Sequence, residues 1–172
     1  GRNDVGRVAE IGSVKVTATF VNHPGVCAGY RLWTGGGSVV YVPDNEVFQR
    51  LKSREAGPPR NDFPTLEDFA RHQDQKLNEF VQGADILIID SQYDEAEYLT
   101  HIGWGHSCAD DSVGLAVCAK VKKLFLFHHD PSHDDARISM MLSRARELAK
   151  RLGSPLQVEA AREGLEVPLP VS

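Results

Sequence analysis

Two short apolar runs constrain this chain most, Ile86-Leu87-Ile88-Ile89 and Leu124-Phe125-Leu126-Phe127. Neither alternates polar with apolar residues, so neither suits a strand with one face in water. Each suits a strand buried on both faces, as in a sheet covered by helices. The intervening and flanking segments agree. "EAEYLTHIG" reads as a short helix. "SCADDSVGLAVCAKV" opens on Ser107-x-x-Asp110, a capping pattern, and continues as a helix over Val113, Ala116 and Val117. "DDARISMMLSRARELAKRL" places Ile138, Met141, Leu142, Ala145, Leu148 and Leu152 on one stripe, closed by Gly153 and Pro155; its two methionines read as core. Upstream, "PTLEDFARHQDQKLNEFVQ" carries Leu66, Phe69, Ala70, Leu77, Phe80 and Val81 at helical spacing, with Pro64 and Thr65 where a helix would start.

The N-terminal third has a different period. From Ser13 to Val21, the residues Val14, Val16, Ala18 and Phe20 alternate onto one face of a strand. "AGYRLWT" and "SVVYV" flank Gly35-Gly36-Gly37 as a β-hairpin. Residues 50–63 are polar, with Gly57 and Pro58-Pro59, and read as a loop excursion. "LQVEAAREGLEVPL" reads as two short closing strands about a turn. The order is β-rich, then α-β-α-α-β-α-β, which predicts an α/β fold with parallel pairing between the helix-separated strands. The 172 residues fit one domain, 1–172. In such sheets ligands collect beyond the carboxyl ends of strands, where Asp44, Asp90 and His128 fall.

A net charge of −5 argues against a general nucleic-acid binder, which would carry a basic stripe. It does not exclude an enzyme acting on a small phosphate ester, because a bound metal supplies positive charge locally. No apolar run reaches the roughly 20 residues that span a bilayer, and no charged-then-apolar signal opens the sequence. Cys27, Cys108 and Cys118 lack CxxC spacing and an even count, so they read as reduced, buried small residues of a cytoplasmic protein. Gly1 in place of Met leads us to expect a processed or truncated chain.

Four polar residues recur at strand mouths or in glycine-rich turns: His23 in "VNHPG", Asp44 in "VPDNE", His106 in "GWGHS" and His128 in "FHHDP". Imidazole and carboxylate together suit zinc and other borderline or hard divalent ions. Singly, each has an ordinary reading. His23 precedes a proline and fits a turn; Asp44 fits a turn or an N-cap; His106 fits a hydrogen bond near its helix terminus. One of His128 and His129 reads as structural. His133, Asp134 and Asp135 read as first-turn residues favoured by the helix dipole, and His72 and His101 as surface residues.

Taken in order, "VNHPG", "GYRL", "GGSVVYVPDNE", "ADILIIDSQY", "GWGHS" and "LFLFHHDP" resemble the C-terminal half of metallo-β-lactamase-fold hydrolases. The resemblance runs from about Ile11 to Asp130, toward the branch of cyclic-phosphate and cyclic-nucleotide phosphodiesterases and transfer-RNA 3′-processing ribonucleases. It implies half of an αββα sandwich, with a mixed sheet covered by helices. It also implies two divalent metal ions, zinc first and manganese or iron as alternatives. By position, His23 would ligate one metal, Asp44 would bridge both, and His128 would ligate the other. His106 would sit beside the substrate phosphate as a charge stabiliser or general acid, while His129, Asp130 and Asp90 would orient loop and ligands. The implied substrate is a small cyclic phosphate or nucleotide rather than RNA.

The family's leading His-x-His-x-Asp-His string is absent from these residues. The expected partner is therefore the missing N-terminal half, in cis or on another chain, and a homo-oligomer is left open. The alternative is a non-catalytic binding or assembly domain derived from the same fold.

Overall fold

The computed structural model describes residues 6–51 and 66–169. Its elements are β1 (Gly6–Ile11), β2 (Val14–Phe20), β3 (Ala28–Thr34), β4 (Gly37–Val42), α1 (Phe48–Leu51), α2 (Leu66–Val81), β5 (Ile86–Asp90), α3 (Glu95–His101), α4 (Ala109–Cys118), β6 (Lys123–Phe127), α5 (Asp135–Arg151) and β7 (Gln157–Ala160). The seven strands form one mixed sheet in chain order. β1 to β4 run as an antiparallel meander, and β4 to β7 pair in parallel, with helices in the crossovers. This is the α/β architecture that the two apolar runs predict.

Those runs carry the core. Leu87 and Ile89 of β5, Leu124 and Leu126 of β6, and Val40 and Val42 of β4 all lie in one buried cluster. The cluster also takes in Phe80 and Val81 of α2, Val113 and Ala116 of α4, and Met141, Ala145 and Ala149 of α5. Fully burying each large aliphatic side chain contributes about 1.5–3 kcal/mol. On the opposite sheet face the register aligns Tyr41, Ile88 and Phe125.

The hairpin forms as predicted, and its third glycine has a steric reason. Gly37 takes φ 135, and a Cβ there would stand 2.9 Å from the Asp85 Cγ. Asp85 approaches that closely because it accepts the Ser38 N–H at 2.7 Å and the Lys122 Nζ at 2.7 Å. Nearby, the buried Arg31 donates to the Phe80 and Gln82 carbonyls at the end of α2 and to Ser38 Oγ. Its guanidinium also lies 3.9 Å from the Trp33 ring centroid. The cation thus satisfies carbonyls that a helix end leaves unpaired.

Several expectations need correction. A strand, β1, precedes Ser13; its register shifts between Arg7 and Ala9, an irregularity that breaks the alternation by which a strand is read. Phe48–Leu51 is a short helix, overlapping the start of the predicted 50–63 loop. Residues 52–65, including Pro64 and Thr65, lie outside the described residues. Only one closing strand forms, since residues 161–169 are turn and irregular chain. The N-cap of α4 is Cys108, not Ser107, because the Ser107 hydroxyl donates instead to the Asn45 carbonyl at 2.6 Å. Leu152 is 51 % exposed at the C-cap of α5, and Met140 is exposed while Met141 is buried. The three cysteines are free, but only Cys108 is buried. Cys118 is exposed two residues beyond Ala116, off the face of α4 that meets the sheet. No helix among the described residues is long and apolar enough to cross a membrane.

Ion-paired or hydrogen-bonded carboxylates set an acid limit on stability. Lys122 holds Asp85 below its ordinary value, Arg50 does so for Glu95, and the Ser132 hydroxyl and N–H do so for Asp130. A folded value below the unfolded one stabilises above the unfolded pKa and is lost as pH falls through the folded value. Asp74, pushed up chiefly by burial, acts in the opposite sense. The carboxylate contribution to the urea midpoint is therefore expected to hold down to about pH 5 and to be lost below about pH 4. A midpoint rising as pH falls below about 5 would mean that relief of buried Asp74 outweighs the lowered carboxylates.

Candidate metal centre

Parallel pairing brings three strand ends to one edge. β4 delivers Asp44-Asn45-Glu46, β5 ends in Asp90 itself, and β6 delivers His128. The loop after α3 returns to the same place through a parallel bridge between Tyr93 and Cys108, and so presents His106. As a result, ligand atoms of Asp44, Asp90, His106 and His128 all lie within 4.8 Å of one another.

Asp90 is fully buried and multiply hydrogen-bonded. Its Oδ2 accepts the Asn45 N–H at 3.1 Å, and its Oδ1 accepts the Gln92 N–H at 3.1 Å. His106 Nδ1 lies 2.8 Å from Oδ2, so with its hydrogen on Nδ1 the imidazole donates there. This leaves Nε2 free to face a ligand. A buried carboxylate without such donors would cost several kcal/mol.

His128 has a strained backbone, with φ 60, a left-handed conformation uncommon outside glycine. Its Nδ1 lies 3.2 Å from Asp44 Oδ1 and 3.9 Å from Asp90 Oδ1. That buried nitrogen has no aligned hydrogen-bond partner. The Asp90 carboxylate, and then the charges of Asp44 and Asp130, raise the imidazole above its ordinary pKa against the pull of burial. Tyr93 senses the same acidic field: burial first, then Asp130, Asp90, Glu46 and Glu97, pushes its phenol up to about 12. An unaligned imidazole nitrogen between two carboxylates, in a negative field, fits a divalent cation.

The remaining sequence candidates fall around this group. His23 lies outside the four; its Nδ1 accepts the Gly25 N–H at 3.1 Å, and its ring centroid lies 5.6 Å from that of His106. Gly105 packs on it so closely that an added Cβ would collide with His23 and Pro24. His129 is also outside the group, half-buried, and burial is the main cause of its lowered pKa. Asp130 takes the Ser132 N–H and hydroxyl on Oδ1 and the Gln92 amide on Oδ2, tying the β6 loop to the β5 loop. His133 precedes α5 rather than joining its first turn, and its Nε2 lies 2.9 Å from Glu97 Oε1. Asp134 is the N-cap of that helix and Asp135 its first residue. His72 is exposed as predicted, but His101 stacks on Tyr93 at 4.5 Å and is half-buried.

Two residues beside Asp44 do more than the sequence indicates. Asn45 joins three loops: its N–H binds Asp90, its Oδ1 accepts the Asn22 N–H at 3.1 Å, and its carbonyl accepts from Ser107. Glu46 is buried and bonded to the loop carrying His106. Their position in "PDNE" beside Asp44 is the only sequence signal, because no periodicity tells which way a turn residue points.

No protein-family profile matches the chain. Among curated proteins, it is 33% identical over 69 residues to a ribonuclease Z of Picrophilus torridus, spanning 40% of this chain and 22% of that protein. It is 35% identical over 80 residues to a ribonuclease Z of Thermoplasma volcanium, spanning 42% of this chain and 26% of that one. Among solved structures it resembles the metallo-β-lactamase fold protein YhfI from Bacillus subtilis, with a TM-score of 0.60 and 18% identity over 91% of this chain and 49% of that one. It also resembles the short form of human tRNase Z, with a TM-score of 0.61 and 15% identity over 98% of this chain and 47% of that one. A diphosphatase of the PhnP family follows at a TM-score of 0.51 and 22% identity, over 96% of this chain and 48% of that one. The chain thus spans about half the length of these structures, and its fold is that of one half of a metallo-β-lactamase-fold protein.

Proposed function

We propose that this chain supplies one half of a dinuclear, metal-dependent phosphodiesterase acting on small cyclic phosphates or nucleotides. The observation that carries this reading is the convergence of Asp44, Asp90, His106 and His128 at one end of the sheet. Asp44 and His128 would hold metal, with His23 reaching a second ion from its neighbouring turn. Zinc is the first candidate for this donor set, with manganese or iron as alternatives. Such ions, when bound, supply Lewis-acid polarisation of phosphoryl oxygens and a nucleophile at neutral pH.

The chain's own residues do the remaining work. Asp90, already committed to Asn45 and His106, fixes the imidazole with its hydrogen on Nδ1. Nε2 can then carry a proton to the leaving oxygen, a general-acid contribution of about 10²–10⁴-fold. Asp130 and Gln92 hold the β5 and β6 loops in register around the phosphate.

The partner is the other half of the fold, in cis or on a second polypeptide. Ile11, Phe20 and Tyr30 support this: they share one sheet face by register and are 70%, 71% and 39% exposed. Exposed apolar surface of this kind marks a docking face.

The test is metal content by elemental mass spectrometry, together with hydrolysis of phosphodiesters. The chain alone is expected to retain little metal; completed by its other half, it should hold about two ions and turn over. Two ions and turnover in the isolated chain would overturn the ligand assignment. A completed protein with neither metal nor turnover would favour a non-catalytic binding domain.

A further inference from the structure

Glu46 and Asp90 are the two acids buried to 1 % exposure or less among the described residues, and Glu46 lies outside the four-residue group. A buried carboxylate persists only where donors replace its water. Oε1 of Glu46 accepts the Tyr98 hydroxyl at 2.7 Å and the Gly103 N–H at 2.8 Å, and Oε2 accepts the Gly105 N–H at 2.8 Å. Two of its three donors are therefore backbone amides of the loop that ends in His106. Other contacts flank these bonds: Ile102 packs on the Tyr93–Tyr98 cluster, the Trp104 N–H donates to the His101 carbonyl at 3.1 Å, and Gly105 abuts His23 and Pro24. Gly103 and Gly105 take φ 90 and 96 and have no side chains, and Trp104 between them is 58% exposed. Glu46 is itself fixed, because its N–H donates to the Asn22 carbonyl at 2.8 Å and its carbonyl accepts the Asn22 amide at 2.7 Å.

We infer that Glu46 is a positioning residue: its two carboxylate oxygens clamp the Gly103–Gly105 turn and thereby set the His106 imidazole against Asp90. This rests on the proton-donor role proposed for His106 and adds the group that holds the donor in place. Charge-assisted bonds from a carboxylate to two amides are strong and directional. A glutamine of the same size could not reproduce them, since its NH₂ would oppose the N–H of Gly105 or the donors on the other side.

Glu46→Gln and Glu46→Ala test the clamp at two levels. In the chain itself, amide NMR is expected to show upfield shifts at Gly103 or Gly105. The downfield Nδ1–H proton of His106 should be lost or broadened in the same spectra. In the completed, metal-loaded enzyme, kcat for an alkyl phosphodiester should fall about tenfold or more with KM unchanged. The loss should be smaller for a 4-nitrophenyl ester, whose leaving group needs no proton. Glycine amides that shift while the His106 Nδ1–H stays sharp would overturn the inference, as would equal losses on both substrates. Those results would make Glu46 an anchor of the fold only. If Glu46→Ala does not fold, Glu46→Gln decides alone. If His106→Ala loses nothing on the alkyl ester, the general-acid reading falls, and the NMR arm still supports or overturns the clamp independently.

Discussion

Replacing Asp44 by alanine is expected to remove metal and turnover together. Asp44 follows β4, and its Oδ1 lies 3.2 Å from His128 Nδ1, so it is the carboxylate that faces that imidazole directly. It is also the less committed of the two acids: its side-chain hydrogen bond is from the Cys27 thiol at 3.9 Å, whereas Asp90 accepts from two backbone amides and His106. A part-exposed carboxylate beside an unaligned imidazole nitrogen can take up a divalent cation in place of the imidazole's proton. Loss of residues that merely orient ligands commonly costs 10–100-fold in metal affinity, so loss of Asp44, if it holds metal as proposed, should cost at least about 100-fold. Elemental mass spectrometry and zinc titration of the completed protein measure it. Two ions retained in Asp44→Ala would sink its assignment as the bridge. The fold should survive, since Asp44 is only partly buried.

His106→Ala is expected to separate metal from chemistry. Metal content should persist, while turnover falls by about 10²–10⁴-fold on substrates with a basic leaving group. The reason is geometric: His106 spends Nδ1 on Asp90 and keeps Nε2 for the ligand side of the site. The competing outcome is informative because His106 belongs to the same four-residue group as the assigned ligands. Loss of one ion in His106→Ala would make this imidazole a ligand and leave the proton donor to be found elsewhere.

What the sequence carried well were the features set by uniform local patterns. Ile86–Ile89 and Leu124–Phe127 could only be doubly covered strands, and they are the centre of the parallel part of the sheet. The approximate position of the site followed from them, because Asp90 and His128 terminate these runs and must share the edge where they end. Features decided by a single hydrogen bond were harder to read. Ser107 has the composition of a cap, but the Asn45 carbonyl, 62 residues away in the chain, competes for its hydroxyl. His133 looked like a helix residue until Glu97 of α3 took its Nε2. Glu46 illustrates the same difficulty: an acid in a turn is normally solvated, and only the fold brings Tyr98 and two glycine amides around it. Short-range patterns report on elements; long-range partners decide which way a polar side chain turns.

The order of the strands in the sheet has a consequence for how the protein is made. Because β1 to β7 lie side by side in the order of synthesis, each new strand leaving the ribosome finds its pairing edge already present. None must wait for a later strand to be inserted between it and its neighbour, which lowers the loop-closure cost of each addition. The candidate site is completed late in this sequence of events. The carboxylates of β4 and β5 are in place first, and the last of the clustered imidazoles joins only when β6 docks and turns at His128. A nascent chain therefore exposes a growing sheet edge for most of its synthesis, and docking of β7 covers the edge that β6 presents.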